Sequence, residues 1–260
     1  MFWRVISLAL LLIATERAVA DPDEAEWGYH GAIGPVRWAE LDPEFERCGN
    51  GREQSPIDLS DAELKQTTFV ERVAGLESLH ISVKARARTM DLLDNGHTIQ
   101  ISSDASMGLM LDGDVYSLVQ FHFHAPSEHT LNGQQLPLEV HFVMSNANGE
   151  LAVIGELYEI GSADPAFDPI VGALPSGPGE ARHLEDLALE LSELKPFPDQ
   201  YFVYSGSLTT PPCSEGVQWL VMAEVASLSK AQLTAIADHL HDNARPVQPR
   251  NGRDLLLISP

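Results

Sequence analysis

Two-residue alternation of apolar and polar positions dominates the middle of the chain. Residues 80–84 alternate, and so do residues 97–102, which follow the turn-like Asp94-Asn95-Gly96. Residues 109–111 and 115–124 flank Asp112-Gly113-Asp114, and residues 137–144 and 151–160 flank Asn146-Ala147-Asn148-Gly149, so two further hairpins are predicted there. Leu187, Leu189 and Leu191 alternate as well. Leu184, Leu187, Leu191 and Leu194 also fit a helix, and the reading adopted is a strand. Helical signals are few. Residues 164–173 can hold a short helix. Residues 229–241 carry a capping-box pattern, Ser229 with Gln232, ahead of Leu233, Ile236, Ala237 and Leu240 on one face. Strands outnumber helices without alternating with them, which predicts one domain built on a large, mostly antiparallel sheet with helices at its margins. The Pro- and Gly-rich stretch at 175–179 is too short to be an interdomain linker, and no internal repeat appears.

The first twenty residues follow a different pattern. One positive charge at Arg4 precedes an apolar run over residues 5–14, and Ala18-Val19-Ala20 precedes Asp21. This is the layout of a secretory signal with its cleavage site, so residues 1–20 are expected to be removed and residues 21–260 to form the folded domain. The apolar run is too short to span a bilayer comfortably, and no second run of membrane length exists, so no membrane anchor is expected.

Charge narrows the function. Sixteen Lys and Arg against 38 Asp and Glu give a formal net charge of -22. A nucleic-acid binder working through a basic surface is excluded, and the charge argues against docking on anionic lipid. Both cysteines, Cys48 and Cys213, lie in the exported part. An oxidising compartment favours a disulfide between them over two buried thiols.

The chemistry concentrates in Gln120-Phe121-His122-Phe123-His124 and Glu139-Val140-His141-Phe142-Val143. Residues two apart on a strand share a face, so His122 and His124 project together with Gln120, and His141 projects with Glu139 and Val143. Pairing of the two strands would bring three imidazoles to one point. Three neutral imidazoles that leave one position open form a catalytic zinc arrangement, although imidazole also suits other transition metals. Gln120 and Glu139 are natural acceptors for the imidazole N–H that does not face the metal. His80, His183, His239 and His241 lack this context and are expected at the surface.

Taken in order, these residues resemble the α-class carbonic anhydrases, in the bacterial exported form. Trp27-Gly28-Tyr29, Gln54-Ser55-Pro56-Ile57, Asp94-Asn95-Gly96-His97, the 120–124 segment, Ser127-Glu128-His129-Thr130, Glu139-Val140-His141, Gly206 to Cys213, Arg245 to Pro249, and Asn251-Gly252-Arg253 stand in family order over nearly all of residues 21–260. The resemblance implies an α+β single domain on a central sheet of about ten strands. It implies reversible hydration of CO2 to bicarbonate and a proton, with Zn2+ on His122, His124 and His141. In this enzyme class zinc brings the pKa of its water to about 7, and the resulting zinc-bound hydroxide attacks CO2. The resemblance further implies that Thr209 and Glu128 orient that hydroxide and that Thr210 lies near bicarbonate. Leu208, Val143, Val153, Val217 and Trp219 would form an apolar wall for CO2. His97 would shuttle the proton, as a group titrating near neutral pH can, with Tyr29, Asn95 and Gln100 holding ordered water. Family members often have Asn where Gln100 stands. Exported members join cysteines at the positions of Cys48 and Cys213, and the family matches imply cis peptides at Ser55-Pro56 and Pro211-Pro212. Ala125-Pro126 replaces a longer insertion of vertebrate members, and Ala125 stands where others have Trp. The resemblance allows a homodimer. Two alternatives remain at this point: a catalytically weak zinc-binding module, and a zinc hydrolase with esterase side activity.

Overall fold

The computed structural model describes residues 25–65, 79–84, 86–87, 89–104, 106–185, 189–190 and 200–258. Residues 1–20 and Leu187 and Leu191 of the expected strand lie outside the described residues, as does the side chain of His80.

Ten strands form the continuous path of a 13-stranded sheet. In chain order they are β1 (Glu63–Lys65), β2 (Met90–Asp94), β3 (Ile99–Ser103), β4 (Asp114–His124), β5 (Leu138–Ser145), β6 (Leu151–Ile160), β7 (Ala181–Leu184), β8 (Tyr201–Ser207), β9 (Glu215–Met222) and β10 (Leu256–Ile258). Their spatial order is β7-β2-β3-β4-β5-β6-β9-β8-β10-β1. Neighbours are antiparallel except β6–β9 and β10–β1, which are parallel. The strand Ser106–Leu111 hairpins onto β4 through Asp112 and Gly113, with φ of 52° and 90°. Two successive positive φ values make the tight turn whose twist suits a two-residue hairpin, and Asp-Gly is a favoured pair there.

The alternation read from the sequence sorts side chains onto the two faces. Phe121, Phe123, Phe142, Ile154 and Leu220 point into one large apolar cluster. That cluster is covered by the helix Lys230–Leu240, which contributes Ile236 and Leu240. The helix begins as the pattern predicts: Ser229 Oγ accepts from Gln232 N, and the Gln232 side chain accepts from Ser229 N. The 164–173 segment forms a 3-10 turn, Pro165–Phe167, followed by the helix Asp168–Gly172. The opposite sheet face carries a second cluster that includes Val153, Leu157, Val217, Trp219 and Val221. The chemistry lies on this second face.

The N-terminal segment holds two one-turn helices, Trp38–Leu41 and Arg47–Asn50, that the alternation gave no sign of. They build a small cluster of Trp38, Phe45, Cys48 and Cys213. Cys48 and Cys213 are joined in a disulfide across 165 residues. Ser55-Pro56 and Pro211-Pro212 are cis, as expected, and Ala125-Pro126 is cis as well.

Candidate metal centre

β4 and β5 pair antiparallel with His122 opposite His141 and His124 opposite Glu139. Strand parity and this register bring the three imidazoles together. One nitrogen of each of His122, His124 and His141 lies within 4.8 Å of the other two. His124 and His141 are each 1% exposed.

The partners of the remaining nitrogens fix each ring. His122 Nδ1 donates to Gln120 Oε1 at 2.9 Å. His124 Nδ1 donates to the carbonyl of Asn243 at 2.8 Å. His141 Nε2 stands 2.9 Å from Glu139 Oε1, as an ion-pair contact rather than a straight hydrogen bond. With those nitrogens protonated, the lone pairs left for a cation are Nε2 of His122, Nε2 of His124 and Nδ1 of His141.

The electrostatics suit neutral ligands. Burial, reinforced by the neighbouring imidazoles, pushes His122 well below the ordinary histidine value, and burial also lowers His124. A metal ligand must be unprotonated, so this favours binding. For His141 burial acts downward, but the carboxylates of Glu139 and Glu128 outweigh it and the net direction is up. That pull acts on any cation, proton or metal. Burial alone would raise Glu139, but His129 and His141 hold it well below the usual carboxylate range.

Two unpartnered polar atoms mark the centre. His124 Nε2 and Glu128 Oε2 are buried without a hydrogen bond and lie 3.6 Å apart, and His141 Nδ1 is 3.9 Å from the same Glu128 oxygen. A buried polar atom without a partner costs about 1–3 kcal/mol. Glu128 Oε2 beside three imidazole lone pairs, His124 Nε2 among them, is what a bound cation with its own polar ligand would satisfy, so the residues present fit a zinc-type ion.

Glu139 does more than accept one imidazole. Its Oε2 takes the backbone N–H of Glu128 and of His129, at 2.9 and 2.8 Å, and its Oε1 takes His129 Nδ1 at 2.7 Å. His129 Nε2 meets Tyr204 Oη at 2.7 Å, and Tyr204 donates to Ser55 Oγ at 2.9 Å. His129, Glu139 and His141 also sit close enough to ligate a cation. Of these, His129 and Glu139 are already joined by a 2.7 Å hydrogen bond, with His141 Nε2 at 2.9 Å from the same carboxylate oxygen.

Other expected residues fall into place in different ways. Val153, Val217 and Trp219 pack in one cluster with the partly buried Val143 and Leu208 against it. The Trp219 ring meets the His141 ring edge-on at 4.9 Å, so the apolar wall abuts the imidazoles. Thr209 is buried and Thr210 half-buried in the loop after β8, which is closed by Leu208 N donating to Ser214 O and Cys213 N to Thr210 O. Glu128 Oε1 accepts from Arg245 N, and no donor reaches its Oε2. Among the described residues no hydrogen bond joins Thr209 to Glu128. Gln100 lies opposite His122 in the register of β3 and β4.

His97 sits in the turn before β3, two residues ahead of the strand start at which the sequence placed it. Asn95 Oδ1 braces that turn by accepting from the N–H of His97 and of Thr98. The His97 ring stacks on Trp27, with centroids 3.8 Å apart and planes 5° from parallel. Tyr29 lies edge-on to it at 6.5 Å. Burial and the Glu128 charge push the Tyr29 phenol well up, so it stays neutral. His183 and His241 are exposed and His239 half-buried.

Asn243 escaped the sequence reading. Besides holding His124, its side chain accepts from Ala125 N and donates to the carbonyls of His97 and Phe123. It ties the end of the ligand strand to the His97 turn across more than a hundred residues, and no local pattern signals that. His129 was also missed, although its place ten residues before Glu139 on the next strand was a usable hint.

Comparison with known proteins agrees with this geometry. Residues 33–258 match the family described as eukaryotic-type carbonic anhydrase. A carbonic anhydrase of Pectobacterium atrosepticum is 36% identical over 253 residues, covering 96% of this chain and 98% of the relative. The α-carbonic anhydrase of Thermovibrio ammonificans, solved in complex with the inhibitor sulfanilamide, superposes with a TM-score of 0.78 at 38% identity, covering 90% of this chain and 99% of that one. A hyperthermostable carbonic anhydrase from a hydrothermal vent chimney gives 0.80 at 39%, covering 90% and 100%.

Proposed function

The chain belongs to the eukaryotic-type, or α-class, carbonic anhydrase family, whose members interconvert CO2 and bicarbonate, and from that membership we propose how its own residues carry the reaction. His122, His124 and His141 hold Zn2+ through Nε2, Nε2 and Nδ1. In this enzyme class the ion supplies a Lewis acid that makes hydroxide available near neutral pH. The observation that carries this reading is the three-imidazole cluster with each outer nitrogen already engaged, by Gln120, the Asn243 carbonyl and Glu139.

Thr209 and Glu128 orient the attacking oxygen. Glu128 Oε2 is free of other donors and so can take the Thr209 hydroxyl once the site is loaded. Leu208, Val143, Val153, Val217 and Trp219 receive CO2, which has no net dipole and is at home on an apolar surface. Thr210 contacts the bicarbonate product. His97 takes the proton outward, and Tyr29, Asn95 and Gln100 hold the water it crosses. We further propose that residues 1–20 are an export signal, residues 21–260 the catalytic domain, and the periplasm or the medium outside the cell its setting. The Cys48–Cys213 disulfide supports export, and no helix among the described residues is long and apolar enough to cross a membrane.

The test is stopped-flow CO2 hydration on the purified protein with its metal quantified, beside His122→Ala. Rapid hydration with about one zinc per chain, lost in the variant, supports the reading. Zinc bound without hydration above the buffer rate would instead identify a zinc-binding module.

A further inference from the structure

A cavity of about 560 Å³ opens behind Glu128, away from the apolar wall of Val143, Val153, Val217 and Trp219. None of the three clustered histidines, and neither Thr209 nor Thr210, lines it; of the residues described at the metal centre it shares Glu128, Tyr29 and Arg245. Its volume is that of a small-molecule pocket. Pro126, Ala244, Pro246 and Val247 give it apolar walls, with Val247 44% exposed.

The polar lining favours a cation. The exposed Asp242 contributes the available carboxylate and Arg245 the one guanidinium, while the buried Glu128 carboxylate is committed to Arg245 N and to the histidine cluster. That guanidinium is 1% exposed with its residue, and its hydrogen bonds go to Ser55 O, Cys48 O and Gln54 Oε1. It offers nothing to an anion in the cavity. The Tyr29 ring adds an aromatic surface of the sort that attracts an organic cation. The surrounding chain is strongly acidic, with a formal net charge of -22, and draws cations to any such opening. At the rim His30 Nε2 is tied to the carbonyl of His241 at 2.7 Å.

We propose that this cavity is a second binding site, distinct from the metal centre, that takes a small organic cation with an apolar body. The probe is benzyltrimethylammonium, whose quaternary nitrogen has no lone pair and cannot ligate a metal. It is titrated into the zinc-loaded protein at about pH 8, where an ordinary histidine is neutral, and followed by ligand-observed NMR and calorimetry. Benzyl alcohol and benzoate serve as the neutral and anionic counterparts.

Saturable binding of the cation, with the alcohol weaker and benzoate weakest, is the expected result. Ala244→Trp fills the cavity and weakens binding about tenfold or more, a loss of about 1.4 kcal/mol per decade. Asp242→Asn removes an exposed charge and weakens it about threefold. CO2 hydration is retained in both variants. If Ala244→Trp does not fold, Asp242→Asn and the three-probe comparison decide. Absent binding, equal binding of the three probes, or binding unchanged in both variants overturns the proposal.

Discussion

Glu139→Gln tests how the metal-facing lone pairs are set. The carboxylate is fully buried and serves four groups, two backbone N–H donors on Oε2, and on Oε1 a hydrogen bond from His129 Nδ1 and an ion-pair contact with His141 Nε2, all within 2.7–2.9 Å. An amide has one oxygen and one NH2, so one pair of donors must lose its acceptor. The backbone pair cannot change its protons. The imidazoles can, by moving a proton to the other nitrogen, so the NH2 is driven to the imidazole side. His129 tolerates the change, because its Nε2 can then donate to Tyr204. His141 does not, because its proton moves onto Nδ1, the nitrogen that faces His124 and Glu128. Metal binding must then displace that proton or break the new hydrogen bond, and the carboxylate charge that pulls a cation toward His141 is gone. Losing such an outer partner costs about 10–100-fold in metal affinity, or about 1.4–2.8 kcal/mol. The assay is zinc affinity by competition with a chromophoric chelator, with the thermal midpoint of the metal-free protein measured alongside. Unchanged zinc affinity in a folded Glu139→Gln protein would refute the reasoning.

Three further outcomes are expected. Replacing Cys48 and Cys213 by Ser reopens a 165-residue loop, and the chain-entropy relation sets the loss at about 4–5 kcal/mol, read as a lower denaturant midpoint. Asn243→Ala leaves Ala125 N without its partner at about 1–3 kcal/mol, while the Phe123 carbonyl keeps Thr98 Oγ1; because the same side chain holds the His97 turn, CO2 hydration should fall more in dilute than in concentrated buffer. Ser229→Ala removes the Oγ that accepts from Gln232 N and keeps the backbone N–H that donates to the Gln232 side chain; it should cost about 1 kcal/mol by chemical denaturation with hydration kinetics unchanged.

The local patterns that were legible are those in which cause and consequence are close in the chain. Period-two alternation placed His122, His124, Gln120 and Glu139 on one face, and a connection of only thirteen residues between β4 and β5 made their pairing the natural one. Ser229 and Gln232 fixed a helix start with three residues of information. The Asp112-Gly113 turn was equally local. The motif order added the family and the pairing of the two cysteines, which alternation alone left open.

Tertiary structure decided the rest, because those contacts join segments whose separation leaves no periodic trace. His124 is oriented by a carbonyl 119 residues away, and His129 by a tyrosine 75 residues away. The apolar wall comes from β5, β6, β9 and the loop after β8, and becomes a wall only because β6 and β9 lie side by side in parallel. The stacking of His97 on Trp27 depends on how the N-terminal segment returns to the sheet. A strand's two-residue period states which side chains point the same way. What stands opposite them is chosen by packing, where close fit and the cost of an unpartnered buried polar group select one arrangement.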